Sequence, residues 1–148
     1  MPRSEAVEFR SYWLRRALQF HGQLWHLHAS PEISSIQFGV LTFVRDHPGI
    51  GQRELVALSQ LDKSTLAELL ARMQKRGLLR LSRHATDKRR NRVDLTEAGA
   101  EAVKELEAKA RAVNELLVAG LDEAEARELD RLLGKLLAAE QARAASLS

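Results

Sequence analysis

Between Leu55 and Gly99 the chain reads LVALSQLDKSTLAELLARMQKRGLLRLSRHATDKRRNRVDLTEAG, and the order of signals in this stretch leaves few folds open. Asp62 stands just before an apolar-periodic run, where its carboxylate can accept from the free N–H groups of a helix start. Leu66, Leu69, Leu70 and Met73 recur at i, i+3, i+4 and i+7, which predicts one buried helical face. The other face carries Lys63, Ser64, Thr65, Glu68, Arg72 and Lys75, side chains able to reach phosphates or base edges. Gly77, directly after Lys75 and Arg76, reads as a helix stop: cations near the carbonyl end, then a residue tolerant of positive φ. Polar and apolar residues then alternate from Leu79 to Arg83 and again from Arg92 to Leu95. Between them, His84–Asn91 is a polar loop in which four of eight residues can carry positive charge. The pattern predicts a β-hairpin with a longer loop than a tight turn.

A short helix from Gln52 to Ser59 precedes this helix, with Gln52 and Arg53 at an N-terminus whose backbone N–H groups favour phosphate. Helix, turn, helix and basic hairpin together describe a winged helix, a DNA-reading module. A charge run alone is usually a solvated face, but cap, face, stop and hairpin in succession argue against that reading. The charge distribution agrees. Residues 72–92 hold nine Lys or Arg and one Asp, a local balance of +8, so with a net charge of +3 the rest of the chain carries −5. A basic island on an acidic body concentrates attraction for phosphates at one surface.

Four segments resemble the winged helix of the MarR family of bacterial transcriptional regulators: Asp62-Lys-Ser-Thr-Leu66, Met73-Gln-Lys-Arg-Gly-Leu-Leu79, Asp87-Lys-Arg89 and Leu95-Thr-Glu-Ala-Gly99. The resemblance extends more weakly over nearly all 148 residues. It implies a single domain, mainly α with a small β-hairpin wing, in which a winged helix at about 34–96 is flanked by dimerisation helices at about 5–30 and 97–145. It further implies a homodimer on a palindromic double-stranded DNA operator. In the wing, Arg89 would enter the minor groove while Asp87 positions it, beside Lys88 and Arg90; narrow minor grooves attract guanidinium. Arg72 has a second reading, as a structural partner of Asp87.

The flanking segments fit that plan. Residues 5–28 read as one long helix interrupted only by Gly22, with an apolar surface too wide for one partner helix. Ser34 and Gln37 form a capping box for a second helix, with Ile36, Val40, Leu41 and Val44 as its inner face. Gly49-Ile-Gly51 reads as a loop, since no strand precedes it and no third glycine makes a dinucleotide motif. Thr96 caps a helix to about Gly120, and Asp122 with Glu125 caps a last helix carrying Leu129, Leu132, Leu133, Leu136 and Leu137. Such apolar terminal helices call for self-association.

Other chemistries find little support. No cysteine is present, which excludes disulfides, thiolate metal sites and the peroxide-sensing branch of the family. Neither G-x-S-x-G nor H-E-x-x-H occurs, the five histidines are scattered, and no carboxylate pair stands out, so the chain is not read as an enzyme and calls for no cofactor. No apolar run reaches membrane-spanning length and MPRSEAVEFR lacks a signal-peptide core, so the expected compartment is the cytoplasm, with no membrane partner. His21, His26 and His28 raise a metal-responsive alternative, though it needs ligands from other helices. A ligand-independent DNA-binding protein is a further alternative.

Arg15, His21 and Trp25 are the more informative group. At 100° per residue Trp25 lies about 40° from His21, and Arg15 about 120° from it, at the stripe's edge. They read either as a snorkelling Arg, a core His and an interfacial Trp, or as a pocket in which Arg takes a carboxylate, His bonds a ring hydroxyl and Trp stacks on the ring. With Asn114 they resemble family members that sense aromatic acids such as protocatechuate, which implies a small aromatic carboxylate effector; Arg16 remains an alternative to Arg15. The expected function is a repressor of catabolic genes that such a ligand releases from its operator.

Overall fold

Helix α1 (Arg10–His28) does not begin where the apolar pattern begins. In this computed structural model, which describes residues 5–83, 86 and 91–147, a 3-10 turn at Glu5–Glu8 precedes it and Phe9 is extended. Phe9 offers no side-chain cap, and the Trp13 indole N–H donates to the Val7 carbonyl at 2.9 Å, so the long helix expected from residue 5 is broken there. The chain continues through α2 (Ser35–Asp46), β1 (Ile50–Gly51), α3 (Gln52–Ser59), α4 (Lys63–Lys75), β2 (Leu79–Arg83), β3 (Asn91–Leu95), α5 (Glu97–Leu117) and α6 (Glu123–Ser146). It forms two compact units, Met1–Val113 and Asn114–Ser148.

In the first unit, the three strands form an antiparallel sheet in the order β1-β3-β2. The hairpin expected from alternation is β2 and β3, with Leu79 opposite Leu95 and Leu81 opposite Val93. Strand β1 was expected as a loop. Ile50 pairs with Val93 and Gly51 with Arg92, so the approach to α3 is tied to the wing. Two residues cannot display an alternation, which is why their sequence shows no strand signal.

The core lies beneath the helix-turn-helix. Val40, Leu41, Val44, Leu55, Leu66, Leu70, Met73 and Val93 are buried, joined by Val103, Leu106 and Val113 of α5. Ile36 was expected on the inner face of α2 but is 55% exposed, one turn short of the packed part of that helix. Helix α2 has the expected capping box: the Ser34 hydroxyl accepts from Gln37 N at 3.1 Å, and Gln37 Oε1 accepts from Ser34 N at 3.0 Å.

The junction of α4, β2 and α5 explains the Leu-Thr-Glu-Ala-Gly segment. After α4, Gly77 takes φ 76°, Gly77 N donates to Gln74 O, and Leu78 N donates to Met73 O at 3.0 Å. This is the Schellman arrangement, and glycine is the residue that enters it without steric cost. Thr96 then donates its backbone N–H to Leu78 O at 3.1 Å and its hydroxyl to Gly77 O. The same hydroxyl accepts from Gly99 N at 3.0 Å, capping α5. Gly99 is buried so close to Leu78 that no Cβ fits between them.

In the second unit, Asp122 and Glu125 form the expected reciprocal cap of α6. Helix α5 ends at Leu117 rather than near Gly120, and a turn carries the chain to α6. Leu129, Leu132, Leu133, Leu136 and Leu137 are exposed on α6. No helix among the described residues is long and apolar enough to cross a membrane.

Candidate nucleic-acid interface and adjoining cavity

The outer face of α4 is built from its first residue. Asp62 Oδ1 accepts from Thr65 N and from the Ser64 hydroxyl, both at 2.8 Å, and Oδ2 accepts from the Thr65 hydroxyl at 2.7 Å. These donors, the Thr65 backbone N–H foremost, hold the Asp62 carboxyl at about 2, below the ordinary 3.8. Lys63, Ser64, Thr65, Glu68, Arg72 and Lys75 are all exposed, while Leu66, Leu70 and Met73 anchor the opposite face and Leu69 is half-buried. Arg72 lies 3.6 Å from Glu68, one turn back on the same helix. Gln52 is half-buried and accepts from Asn91 Nδ2 at 3.2 Å, linking the start of α3 to the wing; Arg53 is exposed. The four wing residues Asp87, Lys88, Arg89 and Arg90 lie outside the described residues, as does any pairing of Arg72 with Asp87.

A folded-state carboxyl held low stabilises the folded chain above its unfolded value and loses that contribution as pH falls through the folded one. The Asp62 cap is therefore fully effective above 3.8 and is lost as pH falls towards about 2. Asp62→Asn still accepts N–H bonds but does not titrate. It should flatten the acid limb of an unfolding curve followed by far-UV circular dichroism; an unchanged limb would mean that the cap does not contribute there.

The second group of candidate residues is only partly brought together. Trp25 is 6% exposed, its indole N–H donates to Ile33 O at 2.7 Å, and its ring lies 5.5 Å from that of Phe38. His21, half-buried, has its ring 6.2 Å from Trp25. Arg15, read at the edge of the apolar stripe either as a snorkelling side chain or as a carboxylate ligand, is exposed and lies over the Tyr12 ring with 5.6 Å to the centroid. Arg16 is also exposed and donates to Gln19 Oε1 at 2.7 Å. Asn114, exposed on α5, begins the second unit.

A cavity of about 260 Å³ opens beside Trp25, bounded by His26, Ser30, Glu32, Ser34 and Gln37 among others. Sequence reasoning singled out Trp25, His26, Ser34 and Gln37 for other reasons, but not Ser30 and Glu32 of the α1–α2 connection. Among the described residues, no group of three His, Asp or Glu is placed to hold a metal ion.

Comparison with known proteins adds identity to this geometry. A model described as MarR family matches residues 22–90. The transcriptional repressor NicR of Pseudomonas putida is 31% identical over 138 residues, covering 93% of this chain and 87% of that protein. The crystal structure of the PcaV transcriptional regulator from Streptomyces coelicolor, in complex with its natural ligand, matches with a TM-score of 0.87 and 30% identity over 95% of this chain and 99% of that one. BpsR of Bordetella bronchiseptica, whose DNA binding is regulated by 6-hydroxynicotinic acid, matches with a TM-score of 0.77 and 28% identity over 85% of this chain and 96% of that one. The HosA regulators of Escherichia coli are 43% identical over 86 residues, and the match spans 63% of their length.

Proposed function

Because the chain belongs to the MarR family of winged-helix regulators, we propose that it is a DNA-binding transcriptional repressor released from its operator by a small aromatic or heteroaromatic carboxylate. The observation that carries the DNA-binding half is the outer face of α4: six exposed polar and charged side chains at helical spacing, on a helix anchored by Leu66, Leu70 and Met73. Lys63, Arg72 and Lys75 supply charge for phosphates, Ser64, Thr65 and Glu68 meet base edges, and Gln52 and Arg53 contact backbone from α3. Asp87, Lys88, Arg89 and Arg90 join them on the strength of the wing sequence. All 148 residues act as a single regulatory domain in the cytoplasm.

A second copy of the chain covers the apolar side chains left exposed on α1 (Trp13, Leu14, Leu18, Phe20 and Leu27) and, separately, the leucines of α6. A two-fold pair presents two recognition helices to half-sites about one DNA turn, roughly 34 Å, apart.

The effector half is supported by the adjacency of His21 and Trp25, and by the relatives' own ligands: the natural ligand of PcaV, and the hydroxynicotinic acid of BpsR. An exposed Arg15 without an ion pair among the described residues is free to take a carboxylate. The test is a titration of DNA binding with benzoate- and nicotinate-type acids, 6-hydroxynicotinate first. The parent should lose affinity by about 5- to 150-fold, the usual span of allosteric coupling. Arg15→Ala should bind DNA as the parent does and ignore the acid, with Arg16→Ala as the companion that separates the two arginines. Equal release from parent and Arg15→Ala would remove Arg15 from the site, and no release by any acid would remove the effector reading.

A further inference from the structure

We propose that Arg76 is a positioning residue that couples the α1–α2 connection, and the cavity it borders, to the carboxyl end of the recognition helix. Arg76 is the C-terminal capping residue of α4, and its side chain leaves that helix altogether. Its Nη1 donates to Glu32 O at 2.8 Å, and its Nη2 lies 3.7 Å from Glu32 Oε2, a bridge between residues 44 positions apart. On the other side, the same connection is held by Trp25, whose indole donates to Ile33 O, the carbonyl next to the one Arg76 grips. Between those two grips the loop is stiffened by one hydroxyl: Ser30 Oγ accepts from Glu32 N at 3.1 Å and from Ile33 N at 3.0 Å. Adjacent carbonyls, Glu32 and Ile33, thus answer to α4 and α1 respectively. Ser30 and Glu32 also border the cavity beside Trp25, so an occupant there bears on the segment Arg76 holds.

An exposed ion pair adds little to stability, so this link suits transmission better than holding the fold together. What it transmits has a defined recipient. The amides of Arg76, Gly77 and Leu78 close the last turn of α4 by bonding to Arg72, Gln74 and Met73 carbonyls. A shift of the Glu32 carbonyl pulls on the residue at which α4 ends and the Schellman turn begins. This coupling deepens the effector reading above by supplying its route within one chain, and it rests on that reading for its use. It does not need it for its test.

The test is amide hydrogen exchange by mass spectrometry or NMR on the 148-residue chain, in the parent, Ser30→Ala, Arg76→Gln and the double variant. Ser30→Ala loosens the connection without touching α4. Exchange at the Arg76, Gly77 and Leu78 amides should then speed up by roughly fivefold or more, the lower edge of ordinary coupling. In the Arg76→Gln background, the same loosening should leave those three amides unmoved. Arg76→Lys, which retains a cation and a donor, should restore part of the response. Exchange at the α4 end that ignores Ser30→Ala in the parent, or responds equally in the Arg76→Gln background, would overturn the proposal. A second arm adds 6-hydroxynicotinate and measures DNA affinity in the parent and Arg76→Gln. Release of the parent together with a response in Arg76→Gln at least severalfold smaller supports the route; equal release from both overturns it as the effector route. If exchange is coupled through Arg76 while the acid releases neither protein, the coupling stands and the effector reading fails.

Discussion

Gly99→Ala is expected to be the most damaging single-methyl change in this chain, costing about 3 kcal/mol, the upper part of the usual overpacking range. A Cβ built on Gly99 lies 2.0 Å from the Leu78 carbonyl oxygen and 3.3 Å from Leu95 Cδ2. The first contact is with backbone, which cannot swing aside as a side-chain end can. Moving Leu78 means giving up the Thr96 N–H bond to its carbonyl, or its own N–H bond to Met73. Moving α5 instead disturbs the Thr96 hydroxyl, which serves Gly77 and Gly99 together. Gly134→Ala is the control: it lies in α6 with nothing within 4 Å of the added carbon. There the helical preference for alanine should stabilise by roughly 0.5–1 kcal/mol. Urea unfolding of the two variants should move in opposite directions, and a Gly99→Ala midpoint equal to the parent's would refute the close packing.

How far this junction could be read beforehand depends on what each signal measures. The end of α4 was legible because three independent cues coincide: a cap at Asp62, an apolar period from Leu66 to Met73, and a glycine at 77. The turn between α3 and α4 was not marked in the same way, because Gln60 takes the left-handed conformation at φ 56° where glycine would have announced it. Strand β1 was invisible because two residues carry no alternation and its partner Val93 lies over forty positions away. The role of Gly99 was hidden for a related reason: its neighbour is a carbonyl twenty-one residues earlier, and residue type does not encode proximity.

The same distinction separates the two candidate sites. The outer face of α4 is a local property of one helix, so periodicity alone placed Lys63, Thr65, Glu68 and Arg72 on it. The role of Arg15 is not such a local property: periodicity put it at the edge of the apolar stripe of α1, where it is exposed, and that position alone does not choose between a snorkelling side chain and a carboxylate ligand. Arg76 belongs to the same class. It read as part of a helix stop, while its long-range contact with Glu32 left no trace in local pattern.

Leu66→Ala and Thr65→Val, at adjacent positions, should separate the two faces of α4. Leu66 is fully buried, on the face of α4 that packs with Leu70 and Met73, so truncating it leaves a cavity and is expected to cost about 2–5 kcal/mol. That cost is spread over the whole unit, because the same core includes Leu41 and Leu55 beneath α2 and α3 and Val103 on α5. The urea midpoint should fall steeply, and DNA binding should fail in proportion to the unfolded fraction, recovering at temperatures where the variant is folded. Thr65 is exposed, and valine preserves its branched shape while removing the hydroxyl that donates to Asp62 Oδ2. Asp62 keeps its bonds from Thr65 N and from Ser64, so the helix start survives. The expected loss is in recognition: about 1–3 kcal/mol of discrimination at one base pair, read by selecting preferred duplexes from a random library with parent and variant. Salt dependence should be unchanged, since no cation has been removed. If Thr65→Val instead lost stability as Leu66→Ala does and selected the same duplexes as the parent, the outer face of α4 would be a structural surface, and sequence reading would have to come from elsewhere in the protein.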